Sequence, residues 1–166
     1  MTDMRVIEGT ASAAGFRFAL VVSKFNDFVT DRLQAGALDG LKSAGVDEDD
    51  ICVIKVPGAF EIPFAAKEAA QRGSFAAVVC IGCLIRGATA HFEYIASAAS
   101  HGIIEAAAAT GVPMTFGVLT TNSVEEALER AVAGSANKGW EAAVAAVEMA
   151  TLQKKLRERK SDGIKV

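Results

Sequence analysis

The sequence predicts an α/β protein, a three-layer αβα sandwich built on a four-stranded parallel sheet. Four short apolar segments are typical of buried strands, and a segment with apolar residues at helical spacing follows each of them. The three prolines, Pro57, Pro63 and Pro113, lie at the boundaries of these segments. Strands that alternate with helices form right-handed βαβ units, so we expect parallel strands with helices on both faces of the sheet.

The predicted strands are short apolar runs bounded by glycine, proline or polar residues. They are residues 16–23, 51–56, 76–84 and 113–121. Gly15 precedes the first run and Lys24 follows it, while Pro57 stops the second run. Runs of this length without alternation are typical of strands covered on both faces, as in a parallel sheet.

The predicted helices have apolar residues three and four positions apart. They are residues 27–44, 63–72, 89 or 90 to 110, 123 to about 132, and about 138–159. Gly45 ends the first helix, Pro63 begins the second, and Ser123 with Glu126 forms a capping box at the fourth. One face of the third helix carries its apolar residues, Phe92, Ile95, Ala99, Ile103 and Ala106.

Length and composition indicate one folded domain over residues 1–166. With 51% hydrophobic and 22% charged residues, the chain can bury a core. Lys plus Arg is 17 and Asp plus Glu is 20, a net charge of −3, so we expect neither nucleic acid nor an anionic membrane as partner. Apolar runs such as 76–84 are far shorter than the roughly 20 residues of a membrane span. Residues 1–12 lack the apolar core of a signal peptide, and we expect a cytoplasmic protein.

The three cysteines do not suggest a disulfide framework, since their number is odd. Cys80 and Cys83 form a CxxC pair inside the third predicted strand, where residues three apart point to opposite faces. A redox pair is expected at a helix N-terminus, and zinc requires two further ligands. We therefore predict buried thiols and no metal site.

Ligands of parallel α/β sheets bind outside the carboxyl ends of the strands, which directs attention to the turns. Phe25 follows the first strand, and its ring either packs at the helix entrance or offers a stacking surface. Two prolines and a glycine stiffen residues 57–63, which hold Glu61 at a helix entrance. Glu61 either complements the helix dipole or, together with Phe60, binds a hydroxylated ring compound.

The third turn, residues 82–91, leads through glycines into the N-terminus of the longest helix. Free backbone N–H groups there favour an anion. The glycine spacing resembles a P-loop, but Ala88 stands where that motif requires lysine, so a single phosphate ester is favoured over a nucleoside triphosphate. His91 is either a packed or capping residue or a neutral imidazole that accepts a proton. His101, ten residues further, lies about 15 Å along the helix axis and about 80° around it, too far away to share a metal with His91.

Arg130 follows the fourth strand within a run of acidic residues. Its guanidinium is either part of a surface ion pair or a phosphate clamp. Lys138 opens the last helix, where its charge can simply be solvated.

Six fragments of this sequence together resemble the lumazine synthase family, which carries out the penultimate step of riboflavin biosynthesis. They are residues 25–26, 57–63, 87–94, 116–121, 129–131 and 137–139. The resemblance covers nearly the whole chain. It implies a flavodoxin-like αβα sandwich and a transferase that condenses 5-amino-6-(D-ribitylamino)uracil with 3,4-dihydroxy-2-butanone 4-phosphate. The products would be 6,7-dimethyl-8-ribityllumazine, phosphate and water, with neither metal nor organic cofactor.

The resemblance also implies the roles of particular residues. Binding of the pyrimidine and its ribityl chain would fall to Phe25, Ala59, Phe60, Glu61, Cys83, Leu84, Ile85, Phe116 and Lys138. Ala88 and Thr89 would bind the phosphate of the butanone, Arg130 would clamp it, and His91 would transfer protons. Phe116 and Arg130 would be contributed by the adjacent subunit.

A site shared between subunits implies self-association, and the family's smallest unit is a homopentamer. Some members form decamers or 60-subunit shells, often with a lysine in a glycine-rich turn before the last helix. Residues 132–137 hold one glycine and no lysine, so we expect an isolated pentamer. Residues 1–14 are expected to be extended, either loose or packed on a neighbouring subunit.

Two other functions are compatible with the sequence. One is a flavin or lumazine binder with vestigial catalysis, and the other is a different sugar-phosphate enzyme on a flavodoxin-like fold.

Overall fold

A computed structural model describes residues 4–161 and confirms the α/β prediction. The strands are β1 (Phe18–Ser23), β2 (Ile51–Val56), β3 (Ala77–Ile85) and β4 (Met114–Thr121). The helices are α1 (Asp27–Ser43), α2 (Ile62–Arg72), α3 (His91–Thr110), α4 (Val124–Glu129) and α5 (Lys138–Ser161), with short 3₁₀ turns at Glu48–Asp50 and Ala59–Glu61. All strands of this sheet are parallel, in the order β2-β1-β3-β4. The arrangement is flavodoxin-like.

The sheet separates two apolar cores. One lies between the sheet and helices α1 and α5, and the other lies between the sheet and helices α2 and α3. Each of the six residues of β1 is buried, since this strand has neighbours on both sides and helices above and below. This double coverage explains why the strand sequences are apolar throughout.

The buried thiols of β3 confirm the prediction that the CxxC pair is divided between the two faces of the sheet. Cys80 packs in the core under α2 and α3, and Cys83 packs in the core under α1 and α5. Burial raises the pKa of Cys80 to about 12 and that of Cys83 to about 11. Both thiols are therefore protonated and unreactive at neutral pH.

Helices α1 and α5 pack closely because glycines stand at their contact. A Cβ atom added to Gly139 would overlap the carbonyl oxygen of Leu33, and one added to Gly36 would overlap the side chain of Asn137. Asn137 caps α5, since its Oδ1 accepts hydrogen bonds from Gly139 N (2.8 Å) and Trp140 N (3.3 Å). Its Nδ2 donates to the carbonyl oxygen of Arg32 in α1 (3.1 Å), which ties the two helices together.

Helix α4 ends earlier than the sequence predicts, at Glu129 instead of about residue 132. The carbonyl oxygen of Arg130 accepts a hydrogen bond from the backbone N–H of Lys138 (2.9 Å). This bond turns the chain back toward α5, and Gly134 adopts a positive φ of 97° in the same turn. The predicted cap is present, because Ser123 Oγ accepts a hydrogen bond from Glu126 N (3.2 Å).

The N-terminal segment lies along α5 of its own chain. The N–H of Thr10 donates to Thr151 Oγ1 (2.8 Å), and Lys155 Nζ donates to the carbonyl oxygen of Glu8 (2.8 Å). Residues 1–3 of the predicted extended segment, and residues 162–166, are outside the described range. Of the helices in residues 4–161, none combines the length and apolarity required to cross a membrane. Location in the cytoplasm stays a prediction.

Candidate active site

A cavity of about 600 Å³ lies at the carboxyl ends of the strands, beside the N-terminus of α3. Its walls are the turns after β1, β2 and β3 and the first turns of α3. The lining residues are Phe25, Asn26, Pro57, Gly58, Ala59, Phe60, Glu61, Leu84, Ile85, Gly87, Thr89, His91, Phe92 and Ile95. The parallel sheet thus brings together three of the turns that the sequence singled out.

The turn after β1 presents Phe25 to the cavity. Phe25 N donates to the carbonyl oxygen of Pro57 (3.1 Å), and Asn26 Nδ2 donates to the carbonyl oxygen of Cys83 (2.9 Å). Asn26 adopts a left-handed conformation, with φ of 60°. The side chain of Phe25 is 68% exposed, although a ring that packed only at the helix entrance would be buried. The structure therefore favours the stacking surface over the packing interpretation.

The turn after β2 presents an aromatic ring and a carboxylate. Residues 59–61 form a 3₁₀ turn that leads into α2, in which Ala59 is buried and Phe60 is 60% exposed. Within residues 4–161, the Glu61 carboxylate has no hydrogen-bond or ion-pair partner. Its oxygens are available as acceptors for the hydroxyl or N–H groups of a bound molecule.

The turn after β3 lines one side of the cavity and leads into the N-terminus of α3. Helix α3 begins at His91, and no side chain at Ala90 caps it, so the backbone N–H groups of His91 and Phe92 keep their capacity to bind a ligand. Gly87 and Thr89 line the cavity, whereas Ala88 is exposed but is not among the lining residues. The geometry fits one small anion, such as a phosphate ester.

His91 lies at the junction of the turn and the cavity. Its side chain is exposed, and within the described chain it neither caps the helix nor accepts or donates a hydrogen bond. The packed and capping interpretations are therefore not supported. His101 is elsewhere on α3, where its Nδ1 contacts the carbonyl oxygen of Ser97 (2.8 Å). Among residues 4–161, no three His, Cys, Asp or Glu side chains are grouped so as to hold a metal.

Cys83 differs from the placement that the resemblance implies. Its side chain is only 1% exposed and packs in the core under α1 and α5, away from the cavity. Side chains alternate along a strand, so Leu84 points to the opposite face from Cys83 and lines the cavity, and Ile85 also lines it from the end of the strand. The contribution of Cys83 is its carbonyl oxygen, which holds Asn26.

Phe116, Arg130 and Lys138 lie together in a second hollow of about 400 Å³, between β4 and α5. The two hollows share no lining residue. Phe116 is 47% exposed on β4, the edge strand of the sheet, and Arg130 Nη1 donates to the carbonyl oxygen of Glu126 (2.9 Å). Lys138 Nζ pairs with Glu141 Oε2 (2.9 Å). Within one chain, these three residues are separated from the cavity of His91.

Sequence reasoning did not assign Asn26, Phe92 or Ile95 to the site. Phe92 and Ile95 belong to the same apolar face of α3 as Ala99. They lie in the first turns of the helix and line the cavity, while Ile95 also packs against the core under α2 and α3. Their position directly after His91 is the signal that could have identified them.

Comparison with known proteins adds a finding about the whole chain. Residues 15–154 match the family model for 6,7-dimethyl-8-ribityllumazine synthase. Proteins of that name are similar in Desulfatibacillum aliphaticivorans (48% identical, covering 92% of this chain and 99% of the relative) and in Chloroherpeton thalassium (51%, covering 93% and 99%). A third, from Syntrophus aciditrophicus, is 50% identical and covers 91% of this chain and 98% of its own length.

Proposed function

This chain belongs to the 6,7-dimethyl-8-ribityllumazine synthase family, a family of transferases in riboflavin biosynthesis, and we propose its reaction from that premise. The chain condenses 5-amino-6-(D-ribitylamino)uracil with 3,4-dihydroxy-2-butanone 4-phosphate. The products are 6,7-dimethyl-8-ribityllumazine, phosphate and water. No metal or organic cofactor takes part.

The observation that carries this proposal is the combination of groups in the larger cavity. Phe25 and Phe60 offer exposed rings on which a pyrimidine can stack. Glu61 supplies unpaired acceptors for the ribityl hydroxyls, and the uncapped N-terminus of α3 offers N–H groups to the phosphate. One cavity thus provides for both substrates side by side.

The chemistry requires proton transfer more than a strong nucleophile. An amine of the pyrimidine condenses with the ketone and releases one water, and phosphate is then eliminated from the butanone. A second nitrogen attacks the remaining carbonyl and closes the new ring with loss of a second water. His91 is the side chain beside the phosphate turn that can exchange protons during these steps. Holding the two substrates in the right orientation can supply about 7 to 11 kcal/mol of the barrier reduction, the larger part of the acceleration.

The proposal places Phe116, Arg130 and Lys138 in the active site of the adjacent subunit of a homopentamer. Support comes from their grouping in a separate hollow on the edge strand, which shares no lining residue with the cavity of His91. When two different surfaces of identical subunits bind each other, the same contact repeats from subunit to subunit and can close into a ring. A pentamer of 17.3 kDa chains would sediment at about 87 kDa, and a megadalton particle would instead indicate a shell.

The experiment is to mix the purified protein with both substrates and to follow lumazine absorbance and free phosphate together. We expect equal amounts of lumazine and phosphate. Binding of the pyrimidine without product would instead indicate a vestigial binder. Release of phosphate from the butanone in the absence of the pyrimidine would indicate a different sugar-phosphate enzyme.

His91→Ala should lower kcat by about 10²- to 10⁴-fold without abolishing turnover, since orientation of the substrates is retained. His101→Ala is the matched control, because that histidine lies on the same helix but outside the cavity. Steady-state kinetics across pH measure both variants. Wild-type kcat/KM in the His91 variant at every pH would rule out its role.

A further inference from the structure

Arg86 joins several elements beside the cavity, although its own side chain is not among the lining residues. It directly follows the last residue of β3, and its backbone N–H donates to the carbonyl oxygen of Thr121 (2.8 Å). Its Nε donates to Asn122 Oδ1 (3.0 Å). Asn122 is itself held, since its N–H donates to Glu126 Oε2 (2.8 Å). The guanidinium is thus fixed to the end of β4 and to the first turn of α4.

The same guanidinium also holds the first turn of α3. Its Nη1 donates to Glu93 Oε1 in an ion pair. The Cζ atom of Arg86 lies 4.6 Å from the centre of the Phe92 ring, in a cation–π contact. Phe92 lines the cavity directly after His91. The ion pair joins residues seven positions apart, so it closes residues 87–90 into a loop with both ends held.

Few other contacts hold that loop. A Cβ atom at Gly87 would meet nothing within 4 Å, and Ala88, Thr89 and Ala90 are all exposed. Within residues 4–161, the Thr89 hydroxyl makes no hydrogen bond and α3 has no side-chain cap. The hydrogen bond from Arg86 lowers the pKa of the Glu93 carboxyl, so the pair stays charged at neutral pH. The side chain of Arg86 is therefore the main anchor of the loop.

We infer that Arg86 is a positioning residue that holds the turn 87–90 and Phe92 in the shape that receives the phosphate of the substrate. This inference rests on the proposed function and deepens it, because it identifies one side chain as the group that keeps the turn 87–90 in a fixed conformation. Arginine suits the position better than lysine, since its planar fork donates to Asn122 and Glu93 at once while its face covers the Phe92 ring.

The kinetic test compares Arg86→Gln, Arg86→Lys and Glu93→Gln with the wild type. Arg86→Gln should raise KM for the butanone phosphate about 3- to 5-fold, the upper end of what a partly exposed ion pair contributes, while kcat and KM for the pyrimidine change less than about twofold. Arg86→Lys should give an intermediate KM, because a lysine ammonium can pair with Glu93 but cannot also donate to Asn122 as the planar guanidinium does. The double variant of Arg86→Gln and Glu93→Gln should be no worse than Arg86→Gln alone.

Arg72→Gln is the matched control, since it breaks an exposed ion pair with Glu68 on α2, away from the cavity. It should leave all three constants unchanged. Equal losses for both substrates in Arg86→Gln, or a fall in kcat with KM unchanged, would overturn the inference.

A second readout does not depend on turnover. In Arg86→Gln, the amides of residues 87–92 should exchange with deuterium faster than in the wild type, and inorganic phosphate should bind more weakly in a calorimetric titration. Exchange and phosphate binding unchanged by the substitution would contradict the inference, whether or not the protein makes lumazine. A wild type that fails to make lumazine yet shows both effects would refute only the proposed function.

Discussion

His91 and Glu61 are the two titratable side chains that line the larger cavity. They reach it from different elements, His91 from the first turn of α3 and Glu61 from the 3₁₀ turn before α2. Neither has a partner within the described chain, so each keeps its full hydrogen-bonding capacity for a substrate. Both side chains are exposed and line the same cavity, which favours a binding role for both.

Cys80 gives a prediction about stability and pH. Burial raises its pKa to about 12, so the folded chain keeps the thiol neutral while the unfolded chain ionises it from about pH 8.5 upward. The contribution of the neutral Cys80 thiol to the free energy of unfolding is complete below that pH. It is lost as pH rises toward 12, by up to about 1.4 kcal/mol per pH unit. Urea unfolding from pH 8 to 10 should therefore show a shallower loss of stability in Cys80→Ala than in the wild type.

The matched control for this experiment is Cys52→Ala, because Cys52 is exposed on the edge strand β2. It should keep the wild-type slope of unfolding free energy against pH. The same slope in Cys80→Ala as in Cys52→Ala would contradict the assignment of alkaline sensitivity to the buried thiol.

Phe25 and Cys83 show which features of single residues the sequence predicts and which it does not. The rule that ligands meet the carboxyl ends of parallel strands is enough to place Phe25, Glu61 and His91 around one cavity from the sequence alone. Cys83 was assigned to the cavity by its position in a family motif. Its side chain points to the other face of β3, because the alternation of a strand decides direction one residue at a time.

At the scale of elements, the contact between α1 and α5 gives a second prediction. Gly139→Ala should lower the free energy of unfolding by about 1 to 3 kcal/mol, because the added methyl group overlaps the carbonyl oxygen of Leu33. The sign is informative, since alanine in an open helix position would stabilise by about 1 kcal/mol. Denaturant unfolding measures the effect.

Gly40→Ala serves as the graded comparison within the same contact. A Cβ atom there would lie 3.1 Å from the Cβ of Ala143, a close contact that a small shift of the helices can relieve. It should therefore cost less than Gly139→Ala. A Gly139→Ala protein as stable as the wild type would mean that α1 and α5 do not approach as closely as described.

Some boundaries of helices and strands are determined by neighbouring residues, and others depend on contacts with residues further along the chain. Strand β2 and the start of α5 agree with the sequence prediction, because proline, asparagine and glycine punctuate the chain there. The end of α4 does not agree, because it depends on the hydrogen bond between Lys138 N and the carbonyl oxygen of Arg130. That bond joins residues eight positions apart, and no pattern within the helix itself indicates it.

At the scale of the whole molecule, the candidate binding residues fall into two separate sets. His91, Glu61 and the phosphate turn face one cavity, and Arg130, Phe116 and Lys138 face another between β4 and α5. The first set has no arginine among its lining residues, whereas the second includes Arg130. Our account is that each active site joins the first set of one subunit to the second set of its neighbour.

Mixed assemblies of two variants test that account most directly. His91→Ala chains and Arg130→Ala chains, unfolded together in equal amounts and refolded, would form rings in which some neighbours combine an intact His91 with an intact Arg130. With random assembly, about a quarter of the sites would be complete, so activity should rise to about a quarter of the refolded wild type. Mixed rings no more active than the average of the two variants refolded separately would mean that each site lies within one chain.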